Sequence, residues 1–375
     1  MYIEKIKQDL TDYWRNIDKK IFFSFLLLFF LGLFFSFSST SSLAGERLNK
    51  NYYFFFYKHL IFVFISILVM FFISFIKIEI LKKMTFYLFI ISFLLLALVP
   101  FFGIEVKGAK RWLNFYFFRF QPIELLKPFF ILATAKILLL DKNKINNISY
   151  FVSFLILVSV LIFLVNQPDI GQSILLIGTW IAIVFISGIS IFYIISFFAV
   201  AITFISSLLF FFPDKFGYIS NRLIAFVDPA KGDTFQSEKA LEAIKEGGIK
   251  GQGMGEGILK EKVPEAHTDY IIAVITEEFG SLISILLISI FLYLSLRIIK
   301  ACLSSKDEEI KISLLGLSSL LIFQTFIHIG VNTSLLPTTG MTLPFLSYGG
   351  SSLLSSALLA GIILNFTKNR FNYDE

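Results

Sequence analysis

The chain has 375 residues, of which 56% are hydrophobic and only 16% are charged, and its mean hydropathy is +0.80. This composition excludes an ordinary soluble domain, in which charge would be more abundant and spread along the whole chain. One cysteine, Cys302, excludes an internal disulfide and a cysteine-based metal cluster, and three histidines are too few for a histidine-rich metal site. The net charge of +6 comes without the basic clusters that bind nucleic acid, so no nucleic-acid partner is expected.

Runs of apolar residues long enough to cross a bilayer recur along the chain. Crossing about 30 Å of hydrocarbon takes roughly 20 such residues, and residues 21–38 and 191–212 carry no charge. The first run follows a charged segment and ends in a poor cleavage site, which argues against a cleavable signal peptide. The sequence therefore predicts an all-α integral membrane protein with about ten transmembrane helices. The predicted helices span residues 21–38, 54–76, 84–104, 120–140, 147–165, 171–188, 191–212, 270–295, 311–330 and 347–366.

The distribution of basic residues favours termini in the cytoplasm. With that orientation the cytoplasmic segments contain 17 Lys and Arg residues and the short outer loops contain seven. Eight more in the large outer loop make the overall count nearly even. The predicted parts are a cytoplasmic amphipathic segment at 1–20, helices one to seven within 21–212, a large extracytoplasmic loop at 213–268, helices eight to ten within 270–366 and a cytoplasmic tail at 367–375.

The first polar motif reads GAKRWL and continues, after an aromatic run, into FQPIELLK at the start of the fourth helix. Trp112 and the aromatic residues that follow it are typical of an interfacial belt. Lys110 and Arg111 fit an anion site for phosphate and an interfacial anchor equally well. Glu124 and Lys127 are three residues apart, so they share a helix face and are expected to pair.

Two further motifs favour structural interpretations. In NQPDIGQ, a Pro-Asp step before a helix predicts that Asp169 is an N-cap residue. The glycine-rich segment at 247–255 lacks the strand and helix that a dinucleotide fingerprint requires. We expect it instead to let the backbone approach a ligand or another loop closely.

Ionisable residues gather around the start of the eighth helix. Glu265, His267 and Asp269 precede this helix directly, and Glu277 and Glu278 lie two turns further along. A carboxylate in this position fits three roles, namely a helix cap, a metal ligand and a general base. Capping is the most common outcome on sequence grounds alone.

The last motif, NTSLLPTTGMTLPFLSYGGSS at residues 332–352, contains two prolines and three glycines among apolar residues. This pattern predicts a broken or re-entrant segment. Non-helical backbone at membrane depth is tolerated only where it is packed in protein or lines a cavity. The length of the segment favours a cavity wall over a simple turn.

Together these motifs resemble the shape, elongation, division and sporulation (SEDS) family. The matching segments, GAKRWL, FQPIELLK, NQPDIGQS, PEAHTDYIIAVITEEFG and GVNTSLLPTTGMTLPFLSYGGSS, occur in family order from about residue 103 to 356. The last segment and the alanine of PEAHTD are more similar to the FtsW branch than to the RodA branch. Two positions depart from the family pattern, because Ile123 replaces a usual serine and Ala230 a frequent tryptophan.

The resemblance implies a ten-helix fold and a peptidoglycan glycosyltransferase that polymerises lipid II into β-1,4 glycan strands during septal cell-wall synthesis. It implies a place in the bacterial cytoplasmic membrane at the division septum. Its partners would be a class B penicillin-binding protein, the septal transpeptidase, and other membrane proteins of cell division. The acidic residue of the HTD triplet is essential in the family, and Asp269 holds that position here.

A mechanism follows from this resemblance. Asp269 would be the general base of an inverting single displacement. Charge on the departing diphosphate would be stabilised by Lys110, Arg111 and Arg222, or by a divalent cation such as Mg²⁺ or Mn²⁺, whose requirement is left open. The substrate-binding candidates are Lys110, Arg111, Trp112, Glu124, Lys127, Arg222, Glu265, His267, Ser347 and Tyr348. Two alternatives remain, a lipid II flippase or other transporter and a non-catalytic scaffold for division proteins.

Overall fold

The computed structural model describes residues 8, 11–39, 53–106, 108–115, 118–140, 147–228, 234–259, 263 and 265–368. Its first part contains α1 (Lys19–Ser39), α2 (Phe54–Phe75), α3 (Ile78–Phe102), β1 (Gly103–Val106), β2 (Ala109–Phe115), β3 (Phe118–Phe120), α4 (Pro122–Leu138) and α5 (Asn147–Asn166). The chain continues with α6 (Ile170–Ile186), α7 (Ile191–Phe211), α8 (Pro213–Val227), α9 (Phe235–Gly247), α10 (Ile271–Phe279), α11 (Ser281–Ser304), α12 (Glu308–Asn332) and α13 (Gly350–Phe366).

A helix is present within each predicted span. Six helical stretches of the described residues are long and apolar enough to cross a membrane, and three shorter apolar helices accompany them. The eighth predicted span is two helices, α10 and α11, which meet at Gly280 with a φ of 83°. The prediction of a helical membrane protein is confirmed, whereas ten crossings and the sidedness of the loops stay predictions.

The centre of the bundle is formed by α4, α12 and α13, whose side chains are buried on nearly all faces. Gly316 of α12 packs against Ile131 of α4 and Ile183 of α6. A Cβ at this position would clash with both side chains. Small residues allow such close helix packing where lipid supplies no hydrophobic drive. By contrast, α2 and α3 expose large apolar side chains, as expected of helices that face lipid.

The segment between the third and fourth helices is a small antiparallel sheet with strand order β1-β2-β3. Leu113 of β2 pairs with Gly103 of β1 on one side and with Phe120 of β3 on the other. The sequence predicted a loop here, because the aromatic run was attributed to an interfacial belt. The sheet is the one departure from an all-α architecture within the described residues.

The large loop also has structure, since α8 and α9 lie within it. The glycine-rich segment after α9 packs its backbone on the end of α10: Gln252 donates to the Glu277 carbonyl at 2.8 Å and Gly253 to the Glu278 carbonyl at 3.0 Å. A Cβ at Gly247 or Gly251 would collide with the backbone of α10. The predicted close approach is confirmed, and its partner is a helix end.

The N-terminal segment was predicted to lie on the membrane surface, but its described part packs on protein. Tyr13 is 8% exposed, its hydroxyl lies 2.6 Å from Ser74 Oγ, and its ring stacks on Phe75. The other apolar residues of that predicted face, Tyr2, Ile3, Ile6 and Leu10, lie outside the described residues. At Tyr13 a specific contact with the end of α2 therefore replaces contact with lipid.

Candidate functional site

A cavity of about 780 Å³ opens among four parts of the fold. These parts are the start of α2, the small sheet, the turn before α10, and the non-helical segment 333–349 between α12 and α13. That segment fulfils the prediction of a cavity wall, because Thr338, Thr339, Gly340, Thr342, Tyr348 and Gly349 line the space. Non-helical backbone near the membrane thus occurs where it lines a cavity.

Asp269 lies in the turn 265–270 and lines this cavity. The turn is held by its own polar groups, since Thr268 Oγ1 donates to Glu265 Oε2 at 3.0 Å. Across the cavity wall, a Cβ built on Gly340 would lie 3.5 Å from Asp269 Oδ2. Gly340 has a φ of +70°, a conformation that glycine adopts without the cost of a side chain. The segment 333–349 therefore approaches the carboxylate with bare backbone.

The helix cap at this place is not Asp269. The N-cap residue of α10 is Tyr270, whose side chain makes no capping hydrogen bond. The N–H of Ala273 instead donates to Oδ1 of Asn332 on α12, at 3.1 Å. Asp269 thus stands one residue before the N-cap, and a side chain from 59 positions away bonds an N–H of the first turn.

Arg222 supplies positive charge on the same side of the cavity. It lies on α8, and its Nη1 donates to the Thr338 carbonyl at 2.9 Å. Burial raises the pKa of Tyr270, the nearby Asp269 raises it further, and Arg222 opposes both effects. Burial, and secondarily Arg111, lowers the pKa of Arg222. Asp269, Tyr270 and Arg222 all line the same cavity, so their charges interact there.

Arg111 lines the cavity, but its guanidinium is occupied by the turn between α5 and α6. Nε donates to the Gln167 carbonyl at 2.9 Å and Nη2 donates to the Pro168 carbonyl. Asp169 Oδ2 lies 3.9 Å from Arg111 Nε. Burial raises the pKa of Asp169 and the Arg111 charge counteracts this effect. Asp169 caps α6 by accepting from Gln172 N at 3.4 Å, as the sequence predicted.

Lys110 does not reach the cavity. It is exposed on β2 and absent from the cavity lining, whereas its neighbours Ala109 and Arg111 line it. The cavity therefore gives no support to Lys110 as a phosphate ligand, and that assignment stays a prediction. Trp112, which was predicted both as an interfacial residue and as a substrate-binding candidate, lines the cavity.

The predicted pair on the fourth helix is confirmed. Lys127 Nζ lies 2.8 Å from Glu124 Oε2, and both side chains are almost fully buried. Gln172 Nε2 donates to Glu124 Oε1 at 2.8 Å, and Lys127 Nζ donates to Gln324 Oε1 at 3.4 Å. Glu124 lines the cavity and Lys127 does not, so Lys127 holds the helices together behind the wall.

The structure separates Ser347 from the other candidates of the last two motifs. Ser347 is 1% exposed, donates to the Thr268 carbonyl at 2.6 Å and accepts from Leu343 N at 2.8 Å. It does not line the cavity, so its assignment to substrate binding was wrong. Glu265, His267 and Tyr348 do line it, and the His267 and Tyr348 rings lie 5.7 Å apart.

Two basic residues of the cavity were missed by sequence reasoning, Lys58 and Arg119. Lys58 follows the start of α2, where its Nζ lies 4.7 Å over the Phe54 ring, and Arg119 lies on β3. Each had been counted only as a charge of a short outer loop. No motif marked them, and only the folded sheet and α2 bring them to the same cavity.

No group of three or more His, Cys, Asp or Glu residues suited to a metal ion is found in the described parts of the chain. A magnesium ion often needs only one or two carboxylates, with phosphate oxygens and water as its other ligands. Glu265 and Asp269 line the cavity and fit that limited donor set. A divalent cation stays a prediction, and these two carboxylates together with a diphosphate would hold it.

Comparison with known proteins identifies the family. The family model described as "Cell cycle protein", covering FtsW, RodA and SpoVE, matches residues 18–372. The chain belongs to this family. It is 31% identical to the "Probable peptidoglycan glycosyltransferase FtsW" of Caulobacter vibrioides, over 96% of this chain and 91% of that protein. It is 32% identical to "Stage V sporulation protein E" of Bacillus subtilis, over 92% of this chain and 94% of that protein.

Solved structures show the SEDS fold as well. A chain from "Structural coordination of polymerization and crosslinking by a peptidoglycan synthase complex" has a TM-score of 0.78 and 25% identity, covering 95% of this chain and 99% of that one. RodA of Thermus thermophilus has a TM-score of 0.70 and 24% identity, covering 96% of this chain and 99% of that one. The SEDS resemblance read from the motifs is confirmed, and the chain is an integral membrane helical bundle.

Proposed function

We propose that this SEDS protein is a peptidoglycan glycosyltransferase that polymerises lipid II. The observation that carries the proposal is the cavity, where the Asp269 carboxylate shares one space with the basic side chains of Lys58, Arg119 and Arg222. A carboxylate beside cations suits transfer of a sugar from a diphosphate. The same activity is supported by relatives that are named probable peptidoglycan glycosyltransferases.

Asp269 acts as the general base. The acceptor sugar hydroxyl is a poor nucleophile until its proton is removed, and a carboxylate within hydrogen-bond reach contributes about 10²–10⁴-fold. The lipid-linked donor already has a good leaving group, so no covalent enzyme intermediate is needed. A single displacement inverts the α-linked donor into a β-1,4 product. The C–O bond to the diphosphate breaks as the new glycosidic bond forms, and the acceptor proton passes to Asp269.

The departing diphosphate is stabilised by Lys58, Arg119 and Arg222. Fixed cations are effective because they act where charge develops in the transition state. Arg111 serves instead to hold the turn at Gln167 and Pro168. A bound divalent cation would neutralise the same diphosphate charge.

The site lies on the extracytoplasmic side, with both termini in the cytoplasm. The lipid tails lie along the apolar helices, and the sugars and diphosphate enter the cavity. A class B penicillin-binding protein is the partner, at the septum. Support comes from the structural neighbour that concerns a peptidoglycan synthase complex of polymerisation and crosslinking, and from relatives that bear the FtsW name.

The test is polymerisation of labelled lipid II by purified protein with its partner. We expect Asp269→Asn to bind lipid II and make no glycan, because an amide cannot accept the proton. Glu242→Gln is the matched control, since its carboxylate lies on α9, pairs with Lys239 and is outside the cavity lining. Polymerisation by Asp269→Asn at the parental rate would refute the base assignment. A chelator arm tests the cation, and recovery of lost activity by Mg²⁺ or Mn²⁺ alone would support it.

A second candidate function, a lipid II flippase, is favoured by one observation. Glu124 and Lys127 form a buried ion pair in α4, and buried ionisable residues within membrane segments often mark transport paths. Movement of labelled lipid II across vesicles by the parent protein, without glycan formation, would support the flippase. Glycan formation without such movement would support the polymerase.

A further inference from the structure

Helix α12 has three buried polar side chains at intervals of four residues, Gln324, His328 and Asn332. Their exposed fractions are 5%, 1% and 0%. The spacing puts all three on one face of the helix. Polar side chains are costly in a membrane-spanning helix unless they are bonded, and none of the three lines the cavity. The catalytic proposal leaves this set, the α12 polar ladder, without a role.

Each member of the ladder bonds to main chain near Asp269. Gln324 Nε2 donates to the Thr342 carbonyl at 3.0 Å. His328 Nδ1 lies 2.8 Å from the Met341 carbonyl, and since a carbonyl only accepts, Nδ1 is the donor. Asn332 Nδ2 donates to the Asp269 carbonyl at 3.0 Å, while its Oδ1 accepts from Ala273.

These bonds attach both cavity walls to one rigid element. The turn 265–270 holds Asp269, and the segment 333–349 holds Gly340, whose backbone approaches the Asp269 carboxylate. An α-helix rises about 1.5 Å per residue, so its side chains fix points some 6 Å apart. Both segments are otherwise non-helical, so α12 provides the common frame that sets their separation.

We infer that Gln324, His328 and Asn332 are positioning residues that set the Asp269 carboxylate against the acceptor. The inference rests on the proposed function, in which Asp269 is the general base. A misplacement of about 1 Å can cost on the order of 100-fold in rate, because attack requires close alignment. Loss of one side chain of the α12 polar ladder therefore slows turnover more than it weakens substrate binding.

The experiment compares His328→Leu with His328→Asn in the full-length protein with its partner. Leucine cannot donate to the Met341 carbonyl, whereas the asparagine amide can place a donor where Nδ1 stands. Thr325→Val is the matched control, because Thr325 is buried on the same helix and its hydroxyl has no hydrogen-bond partner among the described residues. The readouts are kcat and KM for lipid II, and hydrogen exchange of residues 265–275 and 338–349.

We expect His328→Leu to lower kcat at least about tenfold with KM within about threefold, and to speed exchange in both segments. His328→Asn should return kcat to within about threefold of the parent, and Thr325→Val should match the parent throughout. If His328→Leu does not fold, Gln324→Met takes its place. This variant loses the bond to the Thr342 carbonyl, whereas Lys127 still pairs with Glu124. The same readouts then apply.

A parental kcat in His328→Leu, or equal impairment of the leucine and asparagine variants, would overturn the inference while the polymerase proposal stands. If the parent forms no glycan, the proposed function fails instead. Hydrogen exchange then still decides whether the ladder holds the two segments, and unchanged exchange in His328→Leu would overturn it.

Discussion

At the residue scale, the site depends on backbone groups as much as on side chains. Gly340 faces Asp269 with a φ of +70°, and Asn332 rather than a local residue caps the first turn of α10. The carboxylate thus faces bare backbone on one side, which leaves room for a sugar hydroxyl. A side chain at Gly340 would occupy part of that room.

Gly340→Ala is expected to lower the polymerisation rate at least about tenfold. The added Cβ would lie 3.5 Å from Asp269 Oδ2, and left-handed backbone costs a non-glycine residue about 1–2 kcal/mol. Gly188→Ala is the control, because Gly188 has a φ of +94° and nothing within 4 Å of a built Cβ. Polymerisation assays and thermal unfolding on both variants check the prediction. Equal rate losses would mean that backbone strain, not crowding of Asp269, is responsible.

At the element scale, charged residues at helix ends connect neighbouring helices. Asp307 caps α12 by accepting from Glu309 N at 3.1 Å and Ile310 N at 3.2 Å. Lys82 of α3 pairs with Asp307 at 2.7 Å and with Glu309 at 3.2 Å. The third predicted span began at residue 84, but α3 begins at Ile78. Lys82 is accommodated inside the helix because α12 supplies its counter-charges.

Asp307→Ala is expected to lower the thermal unfolding midpoint in detergent by several degrees. Loss of a cap costs about 1 kcal/mol, and the variant also loses the pair with Lys82. Glu308→Ala is the neighbouring control, because its exposed pair with Lys311 is of the kind worth about 0–1 kcal/mol. Midpoints should be compared at one scan rate. A midpoint for Asp307→Ala as high as that of Glu308→Ala would contradict the prediction.

At the scale of the whole molecule, the orientation decides on which side of the membrane the cavity opens. The cavity lies on the same side as the large loop, because Arg222 and Gln236 from α8 and α9 line it together with Asp269. Polymerisation outside the cytoplasmic membrane therefore requires that the loop be extracytoplasmic. The count of basic residues supports that orientation only when the large loop is left out.

Labelling of single cysteines tests the orientation. In a Cys302→Ser background, an impermeant maleimide should label Glu256→Cys on intact cells and leave Lys306→Cys unlabelled, since both positions are exposed on opposite sides of the predicted spans. After permeabilisation both should react. Labelling of Lys306→Cys alone on intact cells would show that the topology is the reverse of the predicted one. That result would exclude glycan synthesis outside the membrane.

The sequence by itself determined the features that depend on neighbours along the chain. Long apolar runs became helices because a bilayer requires backbone bonds within each segment. The pairing of Glu124 with Lys127 followed from a spacing of three residues, and the cap at Asp169 followed from a Pro-Asp step before a helix. The SEDS motifs likewise identified the family.

Only the tertiary structure decided which polar residues face the cavity. Lys110 and Arg111 are adjacent in sequence, yet only Arg111 lines the cavity and Lys110 is exposed. Ser347 faces the protein interior, and Lys58 and Arg119 reach the cavity from distant elements. The direction of a side chain depends on how helices and strands pack, and these long-range contacts leave no local pattern in the sequence.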